Sequence, residues 1–157
     1  MTFKLNLMIL GLCSVAGLAA ADANLNPGTP KQTADQLLVE AKATRVASLD
    51  LVTQLKSKQA NLAKVSEDVA AIEKSAGAVH TLVGHLEGHK SQLTAQQQTT
   101  LADVKQLTEL LHIFLENKKS LVADGAAPSE RERIRANAMM IADRAERVEK
   151  LVRKMAM

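Results

Sequence analysis

Residues 37–93 read LLVEAKATRVASLDLVTQLKSKQANLAKVSEDVAAIEKSAGAVHTLVGHLEGHKSQL. Taking every third or fourth residue gives Leu37, Ala41, Thr44, Ser48, Leu51, Leu55, Lys58, Leu62, Val65, Val69, Ile72, Ala76, Val79, Val83, Leu86, Lys90 and Leu93. The 4-3-4-3 spacing never slips, and only Thr44, Ser48, Lys58 and Lys90 are polar. That is a heptad seam of the coiled-coil kind, the pattern of helices packed along their length. No proline interrupts it.

A single uninterrupted helix from Ala34 to Ser91 would be about 87 Å long at 1.5 Å per residue. The segments that follow are only about half that length, so half of its stripe would lack a partner within the chain. Either the chain folds back near the middle or another chain covers the excess. Lys58 occupies a core position and is the weakest point of the seam. Lys56, Lys58 and Lys64 come before Ser66-Glu67-Asp68, which offers a serine cap with acids at a helix start. The sequence therefore predicts a turn or kink between Lys58 and Ser66, with a second segment from about Glu67 to Ser91.

Local signals bound the remaining helices. Thr33-Ala-Asp-Gln36, Thr94-Ala-Gln-Gln97 and Ser129-Glu-Arg-Glu132 each have the form of a capping box, which predicts helix starts at all three. The third helix carries the stripe Leu101, Val104, Leu107, Leu111, Phe114, Leu115 and Leu121, with Lys118 and Lys119 near its end. Asp124-Gly125 stops it and Pro128 holds the turn. The fourth repeats the seam at Ile134, Ala138, Ile141, Ala145, Val148, Val152 and Met155. On its outer face Asp143–Arg147, Glu146–Lys150 and Glu149–Arg153 are spaced as ion pairs. Four segments of similar length with short connections make an all-α, antiparallel, up-down-up-down bundle, the first two segments being possible halves of one long bent helix. Within the second segment Ala63, Ala70, Gly77, Gly84 and Ser91 recur at seven-residue intervals beside the seam. Two readings stay open: close approach of a neighbouring backbone, or a helix weakened at its glycines.

Before the bundle come two segments of different character. Lys4 followed by the apolar run Leu5–Leu18 and the small residues Ala19-Ala20-Ala21 reads as a secretory signal peptide over 1–21, cleaved after Ala21 or Ala23. Residues 22–32, with Asn24, Asn26, Pro27, Gly28 and Pro30, read as a flexible linker, leaving 33–157 as the bundle domain. The expected location is the periplasm or the exterior. No stable membrane span is expected once the signal is removed, since the apolar run is too short. Cys13 is the one cysteine and leaves with the signal, so no disulfide supports the core. Some 135 residues can bury about two-thirds of the unfolded surface without such help.

Composition excludes several function classes. The formal charge of +3 falls to +2 once Lys4 is removed, too little to imply a nucleic-acid or membrane partner. Phe114 is the one aromatic residue outside the signal, so there is no platform on which bases could stack. No nucleophile with a base, no Gly-rich phosphate loop and no recognisable carboxylate pair is present, and the expectation is a protein that is not an enzyme and holds no cofactor.

Two features bear on binding. His85 and His89 are spaced to share a helix face, as two zinc ligands would be, and His112 could approach from the next helix as a third metal ligand. His80, about 140° round the helix from His85, cannot easily join them. Surface imidazoles are the plainer reading. Met139, Met140, Met155 and Met157 are thioethers of a kind that binds copper, but they read better as core filling and a frayed terminus. The second feature is Leu93-Thr94-Ala-Gln-Gln97, which resembles the LTxxQ motif of small periplasmic helical chaperones. Members of that family are exported, all-helical and short of cysteine, and typically carry two such motifs; here Leu107-Thr108-Glu-Leu-Leu111 lacks the glutamine. The resemblance implies a periplasmic binding role. The leading expectation is thus an exported helical interaction protein, scaffold or chaperone-like, binding a protein partner or itself through helical faces. The alternative is a periplasmic metal binder built on the histidine pair.

Overall fold

A computed structural model of the chain describes residues 28–57, 60–116 and 128–155. Four helices account for nearly all of them: α1 over Pro30–Lys56, α2 over Leu62–Gly88, α3 over Ala95–Glu116 and α4 over Pro128–Met155. A short 3-10 turn, Lys90–Gln92, links α2 to α3. The described residues are 93% helical with no strand, an all-α bundle.

The first helix starts one frame earlier than expected. Thr29, not Thr33, is the cap: its hydroxyl accepts from Gln32 N at 3.3 Å, and Gln32 Oε1 accepts from Thr29 N at 2.8 Å. Pro30 decides the matter, because proline at the first helical position has its φ preset and lacks an amide that would otherwise go unbonded. Thr33 is instead buried inside the first turn, its hydroxyl donating to Thr29 O at 3.2 Å.

Residues 34–91 form two helices, and the break lies at the start of the predicted interval. α1 ends at Lys56, a cation at the negative pole of the helix. Asn61 caps α2, accepting from Ala63 N at 3.1 Å and Lys64 N at 3.3 Å. Ser66 is therefore not the cap; it is an exposed residue within α2. Lys58 lies outside the described residues.

Gly77 and Gly84 do not break α2, which runs on to Gly88. Neither does a backbone pack against them: a Cβ built on either would meet nothing within 4 Å. The row of small residues looks outward, with Ala63, Ala70, Gly84 and Ser91 exposed. The start of α4 also differs. The helix begins at Pro128, so Ser129 is its second residue, not its cap, and Glu130 and Glu132 pair instead with Arg133 and Arg135. The linker before Gly28, the signal region, Lys118, Lys119, Leu121 and Asp124-Gly125 lie outside the described residues.

The packing is antiparallel all round. A lower layer joins Leu51, Val52 and Leu55 of α1 with Val65, Val69 and Ile72 of α2, Leu111 and Leu115 of α3, and Ile134, Ala138 and Ile141 of α4. An upper layer joins Ala34, Leu37 and Ala41 with Val79, Leu82, Val83 and Leu86, then Leu101 and Val104, then Val148, Val152 and Met155. The start of each helix thus meets the end of its neighbours. Every residue of the predicted α4 seam is buried.

Between the layers the core turns polar and small. Thr44, Ser48, Ser75 and Thr108 are all buried, at the level of Ala142 and Ala145. Each hydroxyl is satisfied within its own helix: Thr44 donates to Glu40 O (2.9 Å), Ser48 to Thr44 O (2.7 Å), Ser75 to Ala71 O (2.8 Å) and Thr108 to Val104 O (2.9 Å). Thr44 Oγ1 also lies 2.9 Å from Ser75 Oγ, close enough for its one proton to be donated across to α2 in place of Glu40 O. Near this level Glu149, whose side chain is 8% exposed, pairs with Arg45 of α1 and not with Arg153 as spacing suggested. The hydrogen bond that Arg45 Nε donates to that carboxylate holds the guanidinium above its ordinary pKa. Asp143–Arg147 (3.0 Å) and Glu146–Lys150 (2.6 Å) form as expected.

Candidate functional site

The residues singled out for chemistry fall on α2, α3 and the turn between them. His85 is half-buried in the last turn of α2. His89 is not on the helix at all: α2 ends at Gly88, and His89 is its C-cap, with φ −102° and ψ 13°. Its Nδ1 lies 3.3 Å from Gln92 Nε2 in the 3-10 turn. His85 and His89 thus stand one turn apart, the first in the last turn of α2 and the second at its cap.

His112 joins neither of them. Its ring stacks on His80, centroids 5.0 Å apart and planes 17° from parallel. The 140° that separates His80 from His85 explains the exchange of partners, because α3 packs on the flank that carries His80. Near-parallel stacked rings aim their nitrogen lone pairs side by side, not at a common point. His112 Nε2 lies 3.3 Å from Glu116 Oε1, one turn on. Among the described residues no three His, Cys, Asp or Glu side chains come close enough to hold a metal ion.

Beside the stack, towards the α2–α3 turn, lies an open pocket of about 370 Å³ lined by Glu87, Lys90, Gln98, Leu101, Lys105 and Glu109 among others. Three of its polar side chains, Glu87, Lys105 and Gln98, are already engaged. Glu87 and Lys105 pair at 3.0 Å, and the carboxylate holds the lysine above its ordinary pKa. Gln98 Nε2 donates to Lys90 O and to Leu93 O, both at 3.0 Å, tying the turn to the start of α3. The arrangement can recognise a polar surface, but it sets no nucleophile against a base.

The LTxxQ segment sits at the same end. Thr94 accepts from Gln97 N at 3.3 Å, and Gln97 Oε1 accepts from Thr94 N at 2.9 Å, the reciprocal pair of a capping box. Gln97 Nε2 then donates to Met155 O at 3.0 Å, at the end of α4. Leu93 packs on the upper core layer. Each of these three side chains therefore serves the fold. The leucine plugs the layer, the threonine starts the helix, and the glutamine latches α3 to α4.

One further contact escaped the sequence. Arg144 of α4 stands over the Phe114 ring of α3, 4.5 Å from its centroid. The Arg144 Nη1 atom is buried with no hydrogen-bond partner. Helical spacing could not reveal it, because the two residues belong to different helices and meet only when register is known. No protein-family model, no curated protein and no solved structure matches this chain.

Proposed function

We propose that the chain is an exported helical interaction protein, a scaffold or chaperone-like binder without catalysis of its own. The observation that carries this reading is the set of large apolar side chains left outside a well-filled core. Val39 is 64% exposed, Ile113 60% and Met139 50%, and Val46, Leu49, Leu110 and Met140 are also exposed. Single exposed apolar residues are ordinary, but runs of them along helix flanks are what binding surfaces are made of. Flexible methionines suit a surface that must adapt to more than one partner. The amino-terminal pattern of Lys4, Leu5–Leu18 and Ala19-Ala20-Ala21 supports export.

Two measurements test the reading. Mass spectrometry of the exported protein is expected to find an amino terminus after Ala21 or Ala23; retention of Met1–Ala19 contradicts export by cleavage. Light scattering of a reduced, aggregating client with the bundle in molar excess is expected to show suppression, and Leu110→Ser with Met140→Ser to weaken it. No suppression, together with a monomer by ultracentrifugation, removes both the chaperone and the self-association forms of the proposal.

A further inference from the structure

Resting on that reading, we infer that the groove between α3 and α4 binds an amphipathic peptide segment that carries a carboxylate in its apolar face, with Arg144 as the anchor. On α3, Leu107, Leu110 and Phe114 recur at i, i+3 and i+7, which places them on one flank. That flank is the one turned to α4, because Phe114 meets Arg144 there. On α4, Met140, Arg144 and Leu151 recur at i, i+4 and i+11, again one flank. Leu107 and Leu151 both pack on the upper core layer, and Phe114 on the lower, so their inner edges are fixed. Leu110, 37% exposed, and Met140, 40% exposed, remain open. The result is an apolar strip along the α3–α4 seam, a surface suited to the apolar face of a helix.

Charge selects the occupant. Arg144 has no carboxylate within ion-pair distance among the described residues, whereas its neighbours do: Arg147 has Asp143 and Lys150 has Glu146. The acids Glu109 and Glu116 of α3 turn to the other side, Glu109 into the α2–α3 pocket and Glu116 to His112. Asp103, one turn before Leu107, is exposed and is the acid of α3 placed at the edge of this strip. The guanidinium is thus held by a ring and not by an anion, with Nη1 unbonded. A partner carboxylate drawing it slightly outward gains a charge-assisted bond and relieves that atom as well. The ring beneath is compatible with this, since a guanidinium can stack on its face and bond at its edge.

The test uses two synthetic amphipathic helices, identical but for a Glu or a Lys at the centre of the apolar face, and fluorescence anisotropy with the full mature chain. The Glu peptide is expected to bind at least about tenfold more tightly than the Lys peptide, a gap that Arg144→Gln closes. Leu110→Ser is expected to weaken both. The peptide exchange needs no variant, so a poorly folded Arg144→Gln chain does not void the result. Equal binding of both peptides overturns the carboxylate anchor and leaves the interaction reading standing. Binding of neither, with client aggregation still suppressed, overturns this groove alone. Binding of neither without suppression overturns both.

Discussion

Gly77 and Gly84 give the sharpest test of the packing. Each lies inside α2, where glycine costs about 0.8–1.0 kcal/mol against alanine. Neither has a left-handed φ, and a Cβ at either meets nothing within 4 Å, so alanine fits without displacement. They are seven residues apart, about 10.5 Å along the axis, far enough for their effects to add. Gly77→Ala with Gly84→Ala is therefore expected to stabilise the bundle by about 1–2 kcal/mol. For a domain of this size that raises the thermal midpoint by about 3–10 °C. Circular dichroism at 222 nm, by heat and by urea, reads it, and the urea slope should not change, since the exposed area is the same. A lowered midpoint in either single variant would refute the open outer face, because a Cβ can only hurt where something presses on the helix. If the midpoint falls at high protein concentration only, the thing that presses is a second copy.

The other expectations are smaller in scale. Burial raises the Glu40 carboxyl above its ordinary pKa, against the opposing pull of Lys74. A raised acid costs stability as pH climbs from the ordinary carboxylate range through the folded value, so Glu40→Gln should exceed the parent in thermal midpoint at pH 7 and match it at acid pH, near 3.5, where both forms are neutral. The gap should be modest, because the carboxylate keeps contact with water; a gap that widens towards acid pH contradicts the assignment. Thr94→Ala removes the α3 cap and should cost about 1 kcal/mol in urea unfolding, with faster amide exchange confined to the first turn of α3. Calorimetric titration with zinc at neutral pH should show no site tighter than about 1 μM. His85→Ala with His89→Ala should move stability by less than about 1 kcal/mol; sub-micromolar zinc or copper binding lost in that double variant would put the metal reading first.

What was legible in the sequence was whatever a single helix decides. The heptad seam marked Leu37, Leu51, Ile72, Val79 and Leu86, each fully buried. The Thr94–Gln97 box was legible because both its bonds close within four residues. Thr33–Gln36 failed for an equally local reason: Thr29-Pro-Lys-Gln32 is an overlapping frame of the same kind, and proline at its second place favours it. The site was less legible, since its contacts join different helices. His80 with His112, Arg45 with Glu149 and Phe114 with Arg144 are separated by 32, 104 and 30 positions, and nothing in residue spacing sets which helix lies on which flank. The seven-residue row of small side chains was visible, but not the side it faces, because a row beside a seam can turn inward or outward with equal regularity.

The hydroxyl-bearing level at mid-bundle sets how the four helices align lengthwise. Thr44, Ser48, Ser75, Thr108, Ala142 and Ala145 are all small, so the bundle has a narrow waist between two bulkier halves. Sliding one helix by a heptad, about 10.5 Å, would bring Leu37 or Leu51 into the waist and leave Thr44 facing leucine-sized space. The first overfills and the second leaves a void, and both are penalised in a close-packed interior. A pure leucine seam would tolerate that slip, because each heptad resembles the next. The waist acts as a key cut into an otherwise repetitive shaft, and it gives the bundle one alignment in place of several.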